Sequence, residues 1–348
     1  LGQRIGCAKC HHHPLEKWSQ EDYFGMVSFF TRVKVTIPPP PKKAKKGEKQ
    51  EEPKPVSVSL NAKAGDAVNP RTGKPVRPTG LGGKPVELKK DDDPRLKLVE
   101  WMTARDNPFF AKTLVNRYWK HFMGRGLVDP EDDLRVTNPS SNPALLMALE
   151  NSFIESKYDV RMLIRTICTS TVYRLSAVPN EHNVGDRMCY SRFLPRRLHA
   201  EVLLDAIDQL TSSKTTFKGV PNGTRAVQLP DNLFESYFLS VFGRPDAASA
   251  CECERSGDAS LAQALHMLNS AEIQTKVSGQ RSRDLAKDKR TLEAKIREIY
   301  LVALSREPTK DETSTLVAHL NKKGGNNQSS YEDILWALIN TKEFLFNH

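Results

Sequence analysis

Asn107-Pro108-Phe109-Phe110-Ala111-Lys112-Thr113-Leu114-Val115-Asn116-Arg117-Tyr118-Trp119-Lys120-His121-Phe122 is the stretch that decides the fold class. Proline suits the first position of a helix, where its missing N–H is not needed, and Phe110, Leu114, Tyr118 and Phe122 then fall on one stripe at helical spacing. The same period recurs on both sides. Leu96, Val99 and Trp101 open a helix before it, and Leu145, Leu146, Leu149 and Phe153 follow Pro143 in another. Asp159 caps a segment whose apolar side carries Leu163, Ile164 and Ile167, with Cys168 beside them as a core thiol. Leu203, Ala206, Ile207 and Leu210 repeat the scheme, and further helices are predicted over 261–269, 292–304 and 334–346. Thr309-Lys310-Asp311-Glu312 reads as a capping box opening one more. No fixed-length repeat aligns these segments, so the expected architecture is mainly α: an irregular multi-helix globular domain rather than a solenoid.

Residues 37–90 break the pattern. Pro38 to Pro41, the run Lys42-Lys43-Ala44-Lys45-Lys46 and repeated Gly and Pro cannot bury enough apolar surface to offset ordering, which predicts a long Pro/Lys-rich loop. Inside it Val56-Ser57-Val58-Ser59-Leu60 alternates strictly and predicts one strand of a small β-hairpin, with Lys84 to Leu88 as its partner. Three segments result: 1–36, 37–90 and a helical domain over 91–348.

The chemistry-bearing motif lies near the amino end. In Cys7-Ala8-Lys9-Cys10-His11, two intervening residues bring both sulfurs to one porphyrin edge, and the next imidazole can turn under the ring to ligate iron. Zinc knuckles and thiol-redox loops use similar spacings, so zinc or a disulfide stands beside covalent haem c. His13, and Met26 on the helix predicted after Ser19, compete as a second axial ligand, and an open iron position is the third option. Cys251 and Cys253, one residue apart in a polar stretch, could join Cys7 and Cys10 as four soft ligands for zinc or an iron–sulfur cluster. Asn116, Arg117, Asp132 and Asp133 flank the Gly124-Arg125-Gly126 turn. They either recognise an anionic substrate or simply fasten the turn to its helix.

Fifty-two Lys and Arg against 42 Asp and Glu give the 348 residues a formal charge of +10. That balance favours anionic partners such as a cell-surface polymer. Nucleic acid is disfavoured, because no helix-turn-helix or aromatic-interleaved basic groove accompanies the lysines. No stretch is long and apolar enough to cross a bilayer as a helix. Six cysteines are too few for a disulfide scaffold of this size. No nucleophile–base order, phosphate loop or zinc-protease motif names a reaction. The chain opens at Leu1, close upstream of the cysteine motif, and reads as the later part of a longer protein.

Several phrases resemble a known family. Cys7 to His11, His13-Pro14 and Trp18-Ser19-Gln20-Glu21-Asp22-Tyr23-Phe24-Gly25 look like the end of one domain of the planctomycete cytochrome c-like multidomain proteins. Asn107-Pro108-Phe109, Asn116-Arg117-Tyr118-Trp119, Gly124 to Val128, Phe193 to Leu198, Phe242-Gly243-Arg244-Pro245 and Asn340 to Phe346 resemble the domain of unknown function that follows it. The resemblance implies that 1–36 is the tail of the first domain. It also implies an upstream cytochrome c domain in the same protein, a periplasmic or otherwise exported location, and work as a redox or electron-transfer module with a redox partner. It supplies no reaction.

Overall fold

A computed structural model describes residues 1–38, 56–245, 260–322, 324 and 327–347. The chain divides into two compact units, Leu1–Phe193 and Leu194–His348, and both are built mainly of helices.

In the first unit α1 (Gln20–Ser28) starts at a complete capping box. Ser19 Oγ accepts from the Asp22 amide, and the Asp22 carboxylate accepts from the Ser19 amide. Strands β1 (Val33–Thr36) and β2 (Ser57–Leu60) form an antiparallel ribbon, pairing Val33 with Leu60 and Val35 with Val58. The hairpin strand expected at 56–60 is present, but its partner is β1 and not Lys84–Leu88. Val33-Lys34-Val35-Thr36 alternates in phase with it, whereas Pro85 has no N–H to donate and makes only an isolated bridge with Thr79. A second short pair, β3 (Ala67–Val68) and β4 (Pro75–Val76), is pinned to α1 by the buried Ser28. Its hydroxyl donates to the Val76 carbonyl at 2.6 Å and accepts from the Ala67 amide at 2.9 Å.

Helices α2 (Pro94–Met102), α3 (Phe110–Met123), α4 (Pro143–Glu155) and α5 (Val160–Cys168) complete this unit. Asp93, Asn142 and Asp159 cap α2, α4 and α5. Asn107 Oδ1 accepts the Phe109 and Phe110 amides where α3 begins. The core stripe of α3 is Ala111, Val115, Trp119 and Met123, one position beyond the expected one. Leu114, Tyr118 and Phe122 lie half-buried along its margin. Compact Ala111 and Val115 fit the closest helix approach, while the longer aromatic rings reach in from the rim. Leu146, Leu149, Phe153, Leu163 and Ile167 face them as expected. Cys168 is half-buried rather than a core thiol, because one further residue turns it about 100° from Ile167.

In the second unit α6 (Ala200–Thr211) presents the fully buried Leu203, Leu204, Ile207 and Leu210. Ala206, expected on the apolar side, is half-buried against that core. Around α6 run α7 (Tyr237–Val241), α8 (Leu261–Asn269), α9 (Ala271–Val277), α10 (Gln280–Lys287), α11 (Leu292–Leu304), α12 (Lys310–Lys322), α13 (Gln328–Ile339) and α14 (Lys342–Leu345). The single helix expected over 334–346 starts earlier and breaks at Asn340-Thr341, where Thr341 caps α14.

The predicted capping box at Thr309 is present, and its Glu312 also binds Arg306, which reaches Glu343 as well. These contacts hold the Glu312 carboxyl down from 4.5 to about 2, the hydrogen bond from Arg306 being the largest cause. A depressed carboxyl stabilises the fold above its unfolded pKa, and that contribution disappears as pH falls through the folded value. Thermal midpoints should therefore drop between pH 4.5 and about 2, with a shallower slope in Glu312→Gln. Identical slopes in both proteins would contradict this role.

Candidate functional site

Gly6–Lys9 wind into a single 3-10 turn, with Ile5 before it and Cys10 and His11 after it. The Ala8 amide donates to the Ile5 carbonyl at 2.9 Å, and the Cys10 amide donates to the Cys7 carbonyl at 3.3 Å. Ala8 points inward and is fully buried in a small cluster with Trp18 and Leu81, bordered by Ile5, Tyr23, Met26, Trp101 and Phe109. Cys7 and Cys10, both free thiols, and His11 are exposed. The turn is thus anchored by its one methyl group and offers its reactive groups outward.

The two histidines differ in tautomer. His11 Nδ1 lies 2.6 Å from the His12 carbonyl, which can only accept, so Nδ1 is the donor and, in the neutral ring, Nε2 holds the lone pair. His13 Nδ1 accepts from the Leu15 amide at 3.2 Å, which places the neutral ring's proton on Nε2. A backbone carbonyl on Nδ1–H orients a ligating imidazole, and His11 alone of the pair has that arrangement.

Met26 packs against the Ala8 cluster from α1. Among the described residues, no three His, Cys, Asp or Glu converge as a metal cage. Cys7, Cys10, His11 and His13 therefore form no closed tetrahedral site by themselves. Cys251 and Cys253 lie outside the described residues.

What holds the turn in place comes from the loop after α3. Leu134 donates its amide to the Gly2 carbonyl at 2.9 Å, and Gln3 Nε2 donates to the Leu134 carbonyl at 3.2 Å. Gln3 Oε1 in turn accepts from Trp18 Nε1 at 3.1 Å. Gly2 has φ of +61°, and a Cβ there would lie 1.9 Å from Leu134 Cδ1, so glycine alone fits. Arg4 binds Asp132 at 2.6 Å, and that contact holds the Asp132 carboxyl below its ordinary range despite partial burial.

The loop itself hangs on Asn116. Fully buried, it accepts the Val128 amide at 2.9 Å and donates to the Val128 carbonyl at 2.8 Å. Asp133 grips Arg135 through two contacts, and Lys120 reaches Glu131 at 2.6 Å. Of the two readings of this polar cluster, the fastening one describes Asn116, Asp132 and Asp133, while Arg117 is exposed. The link from Arg4 to Asp132 spans 128 positions and leaves no local sequence signal, so sequence reasoning missed it.

The profile of PSD1, a protein of unknown function (DUF1553), matches residues 94–320. That of PSCyt2, a protein of unknown function (DUF1549), matches residues 1–35. No match appears among curated proteins or solved structures. The PSCyt2-like end and the first part of the PSD1 match fold into one unit, joined by the Gly2, Gln3 and Arg4 contacts.

Proposed function

The chain belongs to the PSD1 family, and from that premise we infer that Cys7, Cys10 and His11 form the attachment site of a c-type haem in a redox module of a larger, exported protein. The observation that carries this reading is the division of labour within one turn. Two free, exposed thiols stand beside an exposed imidazole whose Nδ1 is already engaged by a carbonyl, which leaves Nε2 as the nitrogen available to a ligand. Both thiols are reachable for adding S–H across a vinyl group, and His11 is oriented to give its Nε2 lone pair to iron. A bound haem would supply one-electron exchange with a redox partner, the upstream cytochrome c domain being the nearest candidate. Ala8 and the Trp18 cluster fix the turn from behind, and the loop from Leu127 to Asn138 steadies it through Gly2, Gln3 and Arg4. A periplasmic location goes with this chemistry.

Expression of the full-length protein with haem-attachment machinery tests the assignment. The unmodified protein should carry covalent haem, and the double variant Cys7→Ser/Cys10→Ser should carry none. His11→Ala should keep the thioether-linked group with an altered absorption spectrum. Wild-type protein that holds zinc or a Cys7–Cys10 disulfide and lacks a Soret band would overturn the reading in favour of a structural metal or thiol site.

A further inference from the structure

A groove of about 530 Å³ opens within the second unit where α9, α12 and α13 meet. Helical spacing builds its walls. Leu316 and His319 lie one turn apart on α12, and Glu332 and Trp336 lie one turn apart on α13, so each helix brings an apolar and a polar side chain to the same space. The buried Val277 and Ile334 also line it. Its size falls within the range of about 300–1,000 Å³ typical of small-molecule sites, and apolar walls carrying a few polar groups are their usual composition.

We propose that this groove binds a small organic cation, an ammonium group carried on an apolar body, with Glu332 meeting the charge and Trp336 covering the body. The charge of the lining points that way. Among the described residues that line the groove, Glu332 and Asp333 are acidic and none is lysine or arginine, although the chain as a whole carries +10. Asp333 Oδ2 is engaged by His319, whose Nε2 lies 3.1 Å away. Glu332 differs. Half-buried, it accepts at 2.7 Å from the Gln328 side-chain amide, an uncharged donor that leaves the negative charge of the carboxylate in place. Trp336 is half-buried with its Nε1 buried, so the part of the indole open to the groove is ring carbon. A carboxylate and an indole ring one helical turn apart attract an ammonium through Coulomb and quadrupole terms together. An anion would be repelled by both carboxylates, and a neutral ligand would strip water from Glu332 without replacing it.

Calorimetric titration of the full chain with benzyltrimethylammonium tests this. Wild-type protein should bind one equivalent, and benzamide, which keeps the ring without the charge, should bind about tenfold more weakly. Glu332→Gln should weaken the cation about tenfold as well. That variant keeps an oxygen to accept from Gln328, so its circular dichroism should be unchanged. Trp336→Phe, which retains an aromatic ring of weaker quadrupole, should lose about threefold. The absence of saturable heat in the wild type would overturn the proposal, as would equal binding by wild type and Glu332→Gln, or benzamide binding as tightly as the cation. None of these readouts depends on haem attachment at Cys7 and Cys10.

Discussion

Asn116→Ala is expected to destabilise the first unit by about 2–6 kcal/mol, the cost of leaving a buried amide and a buried carbonyl without partners at about 1–3 kcal/mol each. Both belong to Val128, itself buried, and the Asn116 side chain pairs with each of them. The neighbouring Gly126 leaves no room for repair, since a Cβ there would sit 2.3 Å from the Val128 carbonyl oxygen. Asn116→Asp should not rescue the variant, because it removes the donor and buries a charge facing that oxygen. Urea unfolding followed by tryptophan fluorescence reports on this unit, which contains Trp18, Trp101 and Trp119. The amide of Leu134, bonded to Gly2 at the far end of the loop, should also exchange faster. A loss below about 0.5 kcal/mol would show that the clasp is replaceable.

Phe238→Ala should cost the second unit about 3–5 kcal/mol, the range for deleting a buried phenyl ring. The ring is fully buried, stacks on Phe242 with centroids 4.4 Å apart and meets the edge of His266 at 5.5 Å. It belongs to the same core as Leu203, Leu204 and Ile207, so the cavity would open against tightly held side chains. Denaturant unfolding monitored by far-ultraviolet circular dichroism measures this. Phe242→Leu, which keeps most of the volume, should lose less than half as much. Equal losses in the two variants would place the dominant energy in ring stacking rather than in volume.

Helix starts were the most legible feature of the sequence, because a cap is a local device. Ser19, Asp159 and Thr309 each declare a start through an oxygen placed two or three residues ahead of the amide it accepts. Which face a helix buries was less legible. Phe110, Leu114, Tyr118 and Phe122 are more hydrophobic than Ala111, Thr113 and Asn116, yet the second set is buried. Tertiary approach distance and a polar clasp decide that outcome, and neither is encoded in periodicity. Pairing over distance was illegible for the same reason: Val33–Thr36 and Ser57–Leu60 are joined by register, not by proximity in sequence. At the site, the cysteine spacing was plain. The opposite tautomers of His11 and His13 were not, because they depend on which backbone atom each Nδ1 meets.

The pyridine haemochrome spectrum of full-length protein, made with haem-attachment machinery and extracted with acidified acetone, tests the central claim most directly. The account predicts a c-type signal that stays with the protein through extraction and vanishes in Cys7→Ser/Cys10→Ser. A spectrum without that signal, from protein shown to be exported and folded, would contradict it.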